Sequence, residues 1–74
     1  MIPRTMEKLK RIQHLRIDAG MTQKELAEAS GVNLRIVQYY EQGYRDINSA
    51  KVITVKRLAD ALGCEIEELI EEQS

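Results

Sequence analysis

Apolar residues recur along this chain at spacings of three and four, the periodicity of amphipathic α-helices. The valines and isoleucines do not alternate with polar residues at a spacing of two, so the pattern contains no signal for a β-strand. Each of the four glycines follows a helix-like stretch, where a left-handed residue would end a helix. They are Gly20, Gly31, Gly43 and Gly63. The pattern predicts an all-α domain of five helices.

The first and second helices are predicted from their apolar residues and their ends. The first helix runs from about Thr5 to Ala19, with an apolar stripe formed by Leu9, Ile12 and Leu15 and extended by Ile17. The second helix opens with the capping box Thr22-Gln23-Lys24-Glu25, in which threonine and glutamate each accept a hydrogen bond from the other's backbone amide. Leu26, Ala27 and Ala29 follow on this helix, and Gly31 ends it.

Two short helices joined by a glycine turn form the most informative part of the chain. The turn is Gly31-Val32-Asn33, and Asn33 caps a third helix that runs to about Gln42. Helices of about eight and nine residues joined by such a turn have the geometry of a DNA-reading helix-turn-helix. The second and third helices are therefore predicted to form this motif.

The remainder of the chain is predicted to complete the bundle. Gly43 to about Ser49 forms a loop, and the fourth helix runs from roughly Ala50 to Leu62. Its inward residues are expected to be Val52 or Ile53, Val55, Leu58, Ala59 and Leu62. The fifth helix starts near Glu65 and is expected to bury Ile66, Leu69 and Ile70. Ile66 or Ile70 could instead reach a partner molecule.

A helical wheel of the third helix separates an anchoring face from an outer face. At about 100° per residue, Ile36, Val37 and Tyr40 cluster on one side of the helix. The opposite arc contains no acidic residue and consists of Arg35, Gln38, Tyr39 and Gln42. Arginine can bond guanine, glutamine can bond adenine, and tyrosine can contact a thymine methyl or a phosphate. The outer face is therefore predicted to read DNA, although it could also be an ordinary solvated surface.

The distribution of charge supports a nucleic-acid partner, although the net charge is −1. Residues 1–45 carry eight Lys or Arg and five Asp or Glu, whereas residues 46–74 carry three and seven. Because the Debye length is about 8 Å at physiological salt, local charge matters more for DNA binding than the total. The half of the chain that contains the third helix is the positive half.

Length and composition limit the other functional classes. Seventy-four residues are expected to form one domain, residues 1–74, with an ordered bundle over about 5–72. No apolar run approaches the roughly 20 residues of a membrane span, and the N-terminus lacks a signal-peptide core, so a cytoplasmic location is expected. Cys64 and His14 are each the only residue of their type, and no Gly-rich phosphate loop or Ser/His/Asp set is found. We therefore expect no enzyme activity, metal, cofactor or small-molecule substrate.

From Leu9 to about Leu69 the sequence resembles the Cro-type, or xenobiotic-response-element (XRE), family of phage-repressor helix-turn-helix domains. The motifs that carry the resemblance are Leu15-Arg16, Met21-Thr22-Gln23-Lys24-Glu25-Leu26-Ala27, Gly31-Val32-Asn33, Val37, Tyr40-Glu41-Gln42-Gly43 and Leu58-Ala59-Asp60-Ala61-Leu62-Gly63. The resemblance implies a five-helix, lambda-repressor-like DNA-binding domain whose third helix enters the major groove.

The resemblance also implies roles for individual residues. The positions that match the family's base-reading residues are Leu34, Arg35, Gln38 and Tyr39. Gln23 is expected to touch the phosphate backbone and to brace the reading helix, and Arg16 is expected to pair with Glu41. The other expected phosphate contacts are Lys24, Tyr44 and Arg45.

The sequence departs from the family pattern at two places. Leu34 is apolar where many relatives have a polar or basic residue, and the loop over residues 44–49 is about three residues longer than the common form. The second departure leaves open the register of residues 44–51 and the phosphate roles of Arg45 and Lys51.

Two functions from different classes follow. The first is a transcriptional regulator, repressor-like and dimeric, that binds a palindromic site in double-stranded DNA. The second is a protein-interaction module, such as an antitoxin or a co-activator bridge, that retains the fold. The acidic stretch Glu65–Glu72 and the apolar Leu34 favour the second.

Overall fold

The computed structural model describes residues 10–70, and over this range the chain is helical and contains no β-strand. Five α-helices and one 3₁₀ turn follow one another as α1 (Arg11–Asp18), α2 (Gln23–Ser30), α3 (Leu34–Gln42), the 3₁₀ turn (Ile47–Ser49), α4 (Val52–Leu62) and α5 (Ile66–Leu69). None of these helices is long and apolar enough to cross a membrane. The all-α, five-helix prediction is confirmed.

Local capping interactions set the ends of the helix-turn-helix. The Thr22 hydroxyl accepts a hydrogen bond from the Glu25 amide at 3.0 Å, and the Glu25 carboxylate accepts one from the Thr22 amide at 2.8 Å. Asn33 Oδ1 accepts a hydrogen bond from the Arg35 amide at 2.7 Å. Gly31 and Gly43 end α2 and α3 at φ values of 73° and 85°, which residues with a Cβ rarely adopt. The capping box and both glycine ends were predicted correctly.

Replacing Thr22 with alanine is expected to lower the free energy of unfolding by about 1 kcal/mol, because the Glu25 amide loses its acceptor. Urea denaturation followed by circular dichroism measures the change. Thr22→Ser retains a hydroxyl and serves as the control, with little expected change. Equal destabilisation by serine and alanine would show that the methyl group, rather than the cap, matters here.

The hydrophobic core draws at least one residue from every helix and one from the 3₁₀ turn. Its fully or nearly fully buried members are Ile12, Leu26, Ala27, Val37, Tyr40, Ile47, Val55, Leu58, Ala59 and Leu69. Helix α2 packs against α3 and α4, and α5 packs against α4 and α1. The helix-turn-helix is therefore held against a support formed by α1, α4 and α5.

Within the described residues, α1 begins at Arg11, because Lys10 has an extended backbone with ψ at 154°. The predicted continuous helix from about Thr5 to Ala19 is therefore interrupted at Lys10. The expected contribution of Leu9 and the rest of residues 5–9 lie outside the described residues. Ile17 was placed with the apolar stripe, but its residue surface is 52% exposed. Because it lies about 100° beyond Arg16 and 200° beyond Leu15, Ile17 is turned away from the face that contains Leu15.

The prediction that Val52 or Ile53 points inward is wrong, since these residues are 74% and 52% exposed. The buried face of α4 is set by Val55, Leu58 and Ala59, and Ile53 lies about 170–190° from the centre of that face. Val52 is the first residue of the helix and is not among the residues that pack against the core. Ile47, which the sequence analysis placed in a loop, is buried instead.

The predicted burial of three apolar residues of α5 is confirmed fully for Leu69 and partly for Ile66 and Ile70. Leu69 is completely buried, whereas Ile66 and Ile70 are half-buried and pack against the core. The Glu65 amide donates a hydrogen bond to Glu68 Oε2 at 3.1 Å, which fixes the first turn of α5. The acidic residues Glu71 and Glu72 lie outside the described residues.

Candidate nucleic-acid interface

Helix α3 presents the face that its sequence pattern predicts. Val37 and Tyr40 are buried at 0% and 6% exposure, and Ile36 is half-buried beside them. On the other side, Arg35 is exposed and Gln38 and Tyr39 are half-exposed. The helix is therefore anchored by apolar groups and directs an arginine, an amide and an aromatic ring outward together. We call these three residues and Leu34, which is 36% exposed, the reading face, after the role that the sequence predicts for them.

A buried ion pair ties the end of α3 to α1. Arg16 donates hydrogen bonds from Nε to Glu41 Oε2 at 2.7 Å and from Nη2 to Glu41 Oε1 at 3.1 Å. Its remaining Nη1 donates to the Met21 carbonyl at 2.8 Å, just before α2. The side chains of Arg16 and Glu41 are only 13% and 3% exposed. The pair therefore holds three elements in one arrangement: α1, α3 and the segment that leads into α2.

Hydrogen bonds of Gln23 connect this ion pair to the reading face. Gln23 Nε2 donates to Glu41 Oε1 at 3.0 Å, and Gln38 Nε2 lies 3.5 Å from Gln23 Oε1 in a long hydrogen bond. Because the bonded carboxylate of Glu41 can only accept, the amide nitrogen of Gln23 must face it and the oxygen is left to face Gln38. The chain of contacts Arg16–Glu41–Gln23–Gln38 thus orients an amide on the reading face from inside the protein.

An aromatic cluster joins the loop after α3 to the same face. The Tyr39 and Tyr44 rings meet edge to face with centroids 5.9 Å apart, and the Arg45 guanidinium carbon lies 5.8 Å from the Tyr39 ring centroid. The Tyr44 and Arg45 amides both donate to the Tyr39 carbonyl, at 2.9 and 3.3 Å. Tyr44 nevertheless remains 75% exposed. The structure therefore brings three of the sequence-predicted residues together, whereas Lys24 is exposed on α2 and takes part in none of these contacts.

A concave surface beside the N-terminal half of α3 combines Arg45 with Lys51, whose role the sequence leaves open, and with Arg57, which the sequence pattern does not single out. We call it the basic groove. Its volume is about 490 Å³, and its lining includes three cationic side chains and no acidic one. These are Arg45, Lys51 and Arg57, and the polar side chains Asn33, Ser49 and Thr54 line it as well. The groove combines the helix turn, the loop and α4, so only the folded chain brings its cations together.

The remaining candidates for chemistry do not form a reactive site. Burial raises the pKa of the Cys64 thiol, and the carboxylates of Glu68 and Glu65 raise it further. The thiol is therefore protonated at neutral pH and is a poor nucleophile. His14 is exposed on α1, and residues 10–70 contain no cluster of three side chains able to hold a metal ion.

Comparisons with known proteins agree with this geometry. A family model described as helix-turn-helix matches residues 12–69. The fold is similar to the crystal structure of the restriction-modification controller protein C.AhdI from Aeromonas hydrophila, with 33% sequence identity and a TM-score of 0.72. That match covers 81% of this chain and 86% of the other. None of the curated proteins compared with the chain matches it. Since the family model spans α1 to α5 and includes both helices of the motif, the chain belongs to the Cro-type (XRE) helix-turn-helix family.

Proposed function

We propose that this chain is a DNA-binding regulator of transcription that reads base edges in the major groove with α3. The observation that carries the proposal is the reading face itself, where Arg35, Gln38 and Tyr39 project outward while Val37 and Tyr40 anchor the helix. The similarity to a restriction-modification controller protein supports a regulatory role. The family is a class of DNA-binding regulators rather than a class of enzymes.

Three residues of the reading face have side chains that suit a particular contact with DNA. Arg35 carries a planar fork of donors that can bond both O6 and N7 of guanine. Gln38 can bond adenine through its amide, which Gln23 already orients. Tyr39 can pack its ring on a thymine methyl or donate its hydroxyl to a phosphate, and its contacts with Tyr44 and Arg45 restrict its position.

Phosphate contacts would lie on both sides of the reading face. Gln23 and Lys24, with the free amides at the start of α2, would bind one DNA strand. The other strand would be bound by Tyr44 and by the three cations of the basic groove, which are Arg45, Lys51 and Arg57. This division explains how a chain with a net charge of −1 can bind DNA, because its local positive charge faces the phosphates.

We further propose a homodimer that binds a palindromic site and represses transcription. A single domain of this size covers little DNA, and specific binding by such domains normally uses two half-sites about 34–36 Å apart. The two reading helices of a two-fold dimer would then enter successive turns of the same major groove.

Selection from a pool of randomised duplexes tests the proposal. The enriched sequences should be palindromic, with half-site centres about 10 base pairs apart, and affinity should fall steeply between 50 and 200 mM salt. A pool with no enriched sequence, or binding that is insensitive to salt, would contradict the proposal and favour the protein-interaction alternative.

Arg57→Gln tests the role of the basic groove. The substitution should weaken binding to all duplexes by a similar factor and reduce the slope of log affinity against log salt by about 1 for each protomer. Lys56→Gln is the matched control, because it removes the same charge from the neighbouring residue, which pairs with Asp60 outside the groove. Equal slopes for the two variants would remove Arg57 from the phosphate contacts.

A further inference from the structure

Leu34 is an apolar residue at the start of a helix whose other outward side chains are polar or aromatic. It is the first residue of α3 and is 36% exposed, and it is not among the residues that pack against the core. The preceding Asn33 uses its side-chain oxygen to cap the Arg35 amide. In the first turn of α3, the exposed side chains are Leu34 and Arg35.

A leucine side chain discriminates among base pairs in one way. It has no hydrogen-bonding group, so it gains nothing from N7, O6, O4 or an exocyclic amine and costs free energy where it removes water from them. The 5-methyl group of thymine is the apolar feature of the major-groove edge. 5-Methylcytosine carries its methyl on the same ring carbon, whereas cytosine and uracil lack it.

We propose, on the basis of the proposed function, that Leu34 makes the protein selective for a 5-methylpyrimidine at the base that faces the start of α3. Thymine satisfies this requirement, and 5-methylcytosine satisfies it equally at the ring carbon that Leu34 contacts. Methylation of cytosine at this position therefore strengthens binding. Where this base is a cytosine, the chain thus reads its methylation state as well as its identity.

Duplexes that differ by a single methyl group test the proposal. Selection with the parent protein defines the operator, and selection with Leu34→Ala identifies the base that Leu34 faces as the position where preference is lost. Thymine, uracil, cytosine and 5-methylcytosine are then placed at that position, and the dissociation constants are measured. The duplex with thymine should bind about fourfold more tightly per half-site than the duplex with uracil, as expected for the burial of one methyl group. The duplex with 5-methylcytosine should bind more tightly than the duplex with cytosine by a similar factor.

Control variants separate the role of Leu34 from the proposal that the chain is a DNA-binding regulator. Leu34→Ala should reduce both ratios toward one, and Ile17→Ala, which removes an exposed apolar group from α1, should leave both ratios unchanged. Equal affinity of the parent for the methylated and unmethylated duplexes of a specific operator would overturn the role of Leu34 and leave the regulator proposal intact. Failure to select any operator would overturn both.

Discussion

Replacing Glu41 with alanine is expected to lower the free energy of unfolding by about 3 kcal/mol, the largest effect on stability that a change at the interface should produce. The Glu41 carboxylate accepts three hydrogen bonds, two from Arg16 and one from Gln23, and its side chain is 3% exposed. The variant leaves the Arg16 guanidinium, itself 13% exposed, without a counter-charge. A domain of this length has a total stability of roughly 4–11 kcal/mol, so the loss is a large share.

Urea denaturation of the variants measures this effect against a matched surface pair. Lys56 and Asp60 also form an ion pair, at 3.6 Å, but their side chains are 58% and 68% exposed. Asp60→Ala should therefore change stability by less than about 0.5 kcal/mol. Equal urea midpoints for Glu41→Ala and Asp60→Ala would show that Glu41 behaves as a solvated surface acid. The double variant Arg16→Met, Glu41→Leu should recover much of the loss, since it leaves no unpaired charge.

The ion pair also connects stability with recognition. Gln23 loses its Glu41 acceptor when the carboxylate is removed, and the amide is then free to turn. Gln38 in turn loses a fixed partner on the reading face. Any fall in DNA affinity of the Glu41 variant, measured where the protein is still folded, should be concentrated at the base that Gln38 contacts.

Local chemistry explains which parts of the structure the sequence predicts correctly. Thr22, Glu25 and Asn33 bond to amides no more than three residues away, so their caps depend on little beyond the chain itself. The outward face of α3 follows from periodicity, because an anchored helix has one orientation that buries Val37 and Tyr40. These features together define the helix-turn-helix and its reading face.

Features that depend on the meeting of distant segments were missed or placed wrongly. Ile47 is buried because the 3₁₀ turn brings it onto the core, and no periodicity marks a single apolar residue in a loop. The register of the loop also sets where α4 starts, and this leaves Val52 and Ile53 exposed. The basic groove joins Lys51 and Arg57 to the turn before α3, so its cations appear unrelated in the sequence. A weak signal for Arg57 was its position on the outer arc of the fourth helix.

Replacing Arg35 with alanine is expected to remove discrimination at one base pair, worth about 1–3 kcal/mol or roughly 5- to 150-fold in affinity. The fold should survive, because the Arg35 side chain is exposed and the cap from Asn33 bonds to its backbone amide, which alanine retains. Dissociation constants for the four duplexes that vary at the matching position measure the loss. Their spread should shrink, while preferences elsewhere in the site persist.

Arg35→Lys separates base reading from charge, and this distinction decides what kind of contact Arg35 makes. Lysine retains the positive charge but lacks the planar fork that bonds two acceptors of one guanine. If Arg35 reads a base, lysine and alanine should both lose much of the discrimination, while the salt dependence of binding, which comes from phosphate contacts elsewhere, stays close to the parent's in both variants. If Arg35 only contacts phosphate, both variants should bind all four duplexes in the parent's order of preference, with alanine uniformly weaker. Because Arg35 is next to Leu34 on the same turn, loss at adjacent base pairs in the two alanine variants would also fix the orientation of α3 along the groove.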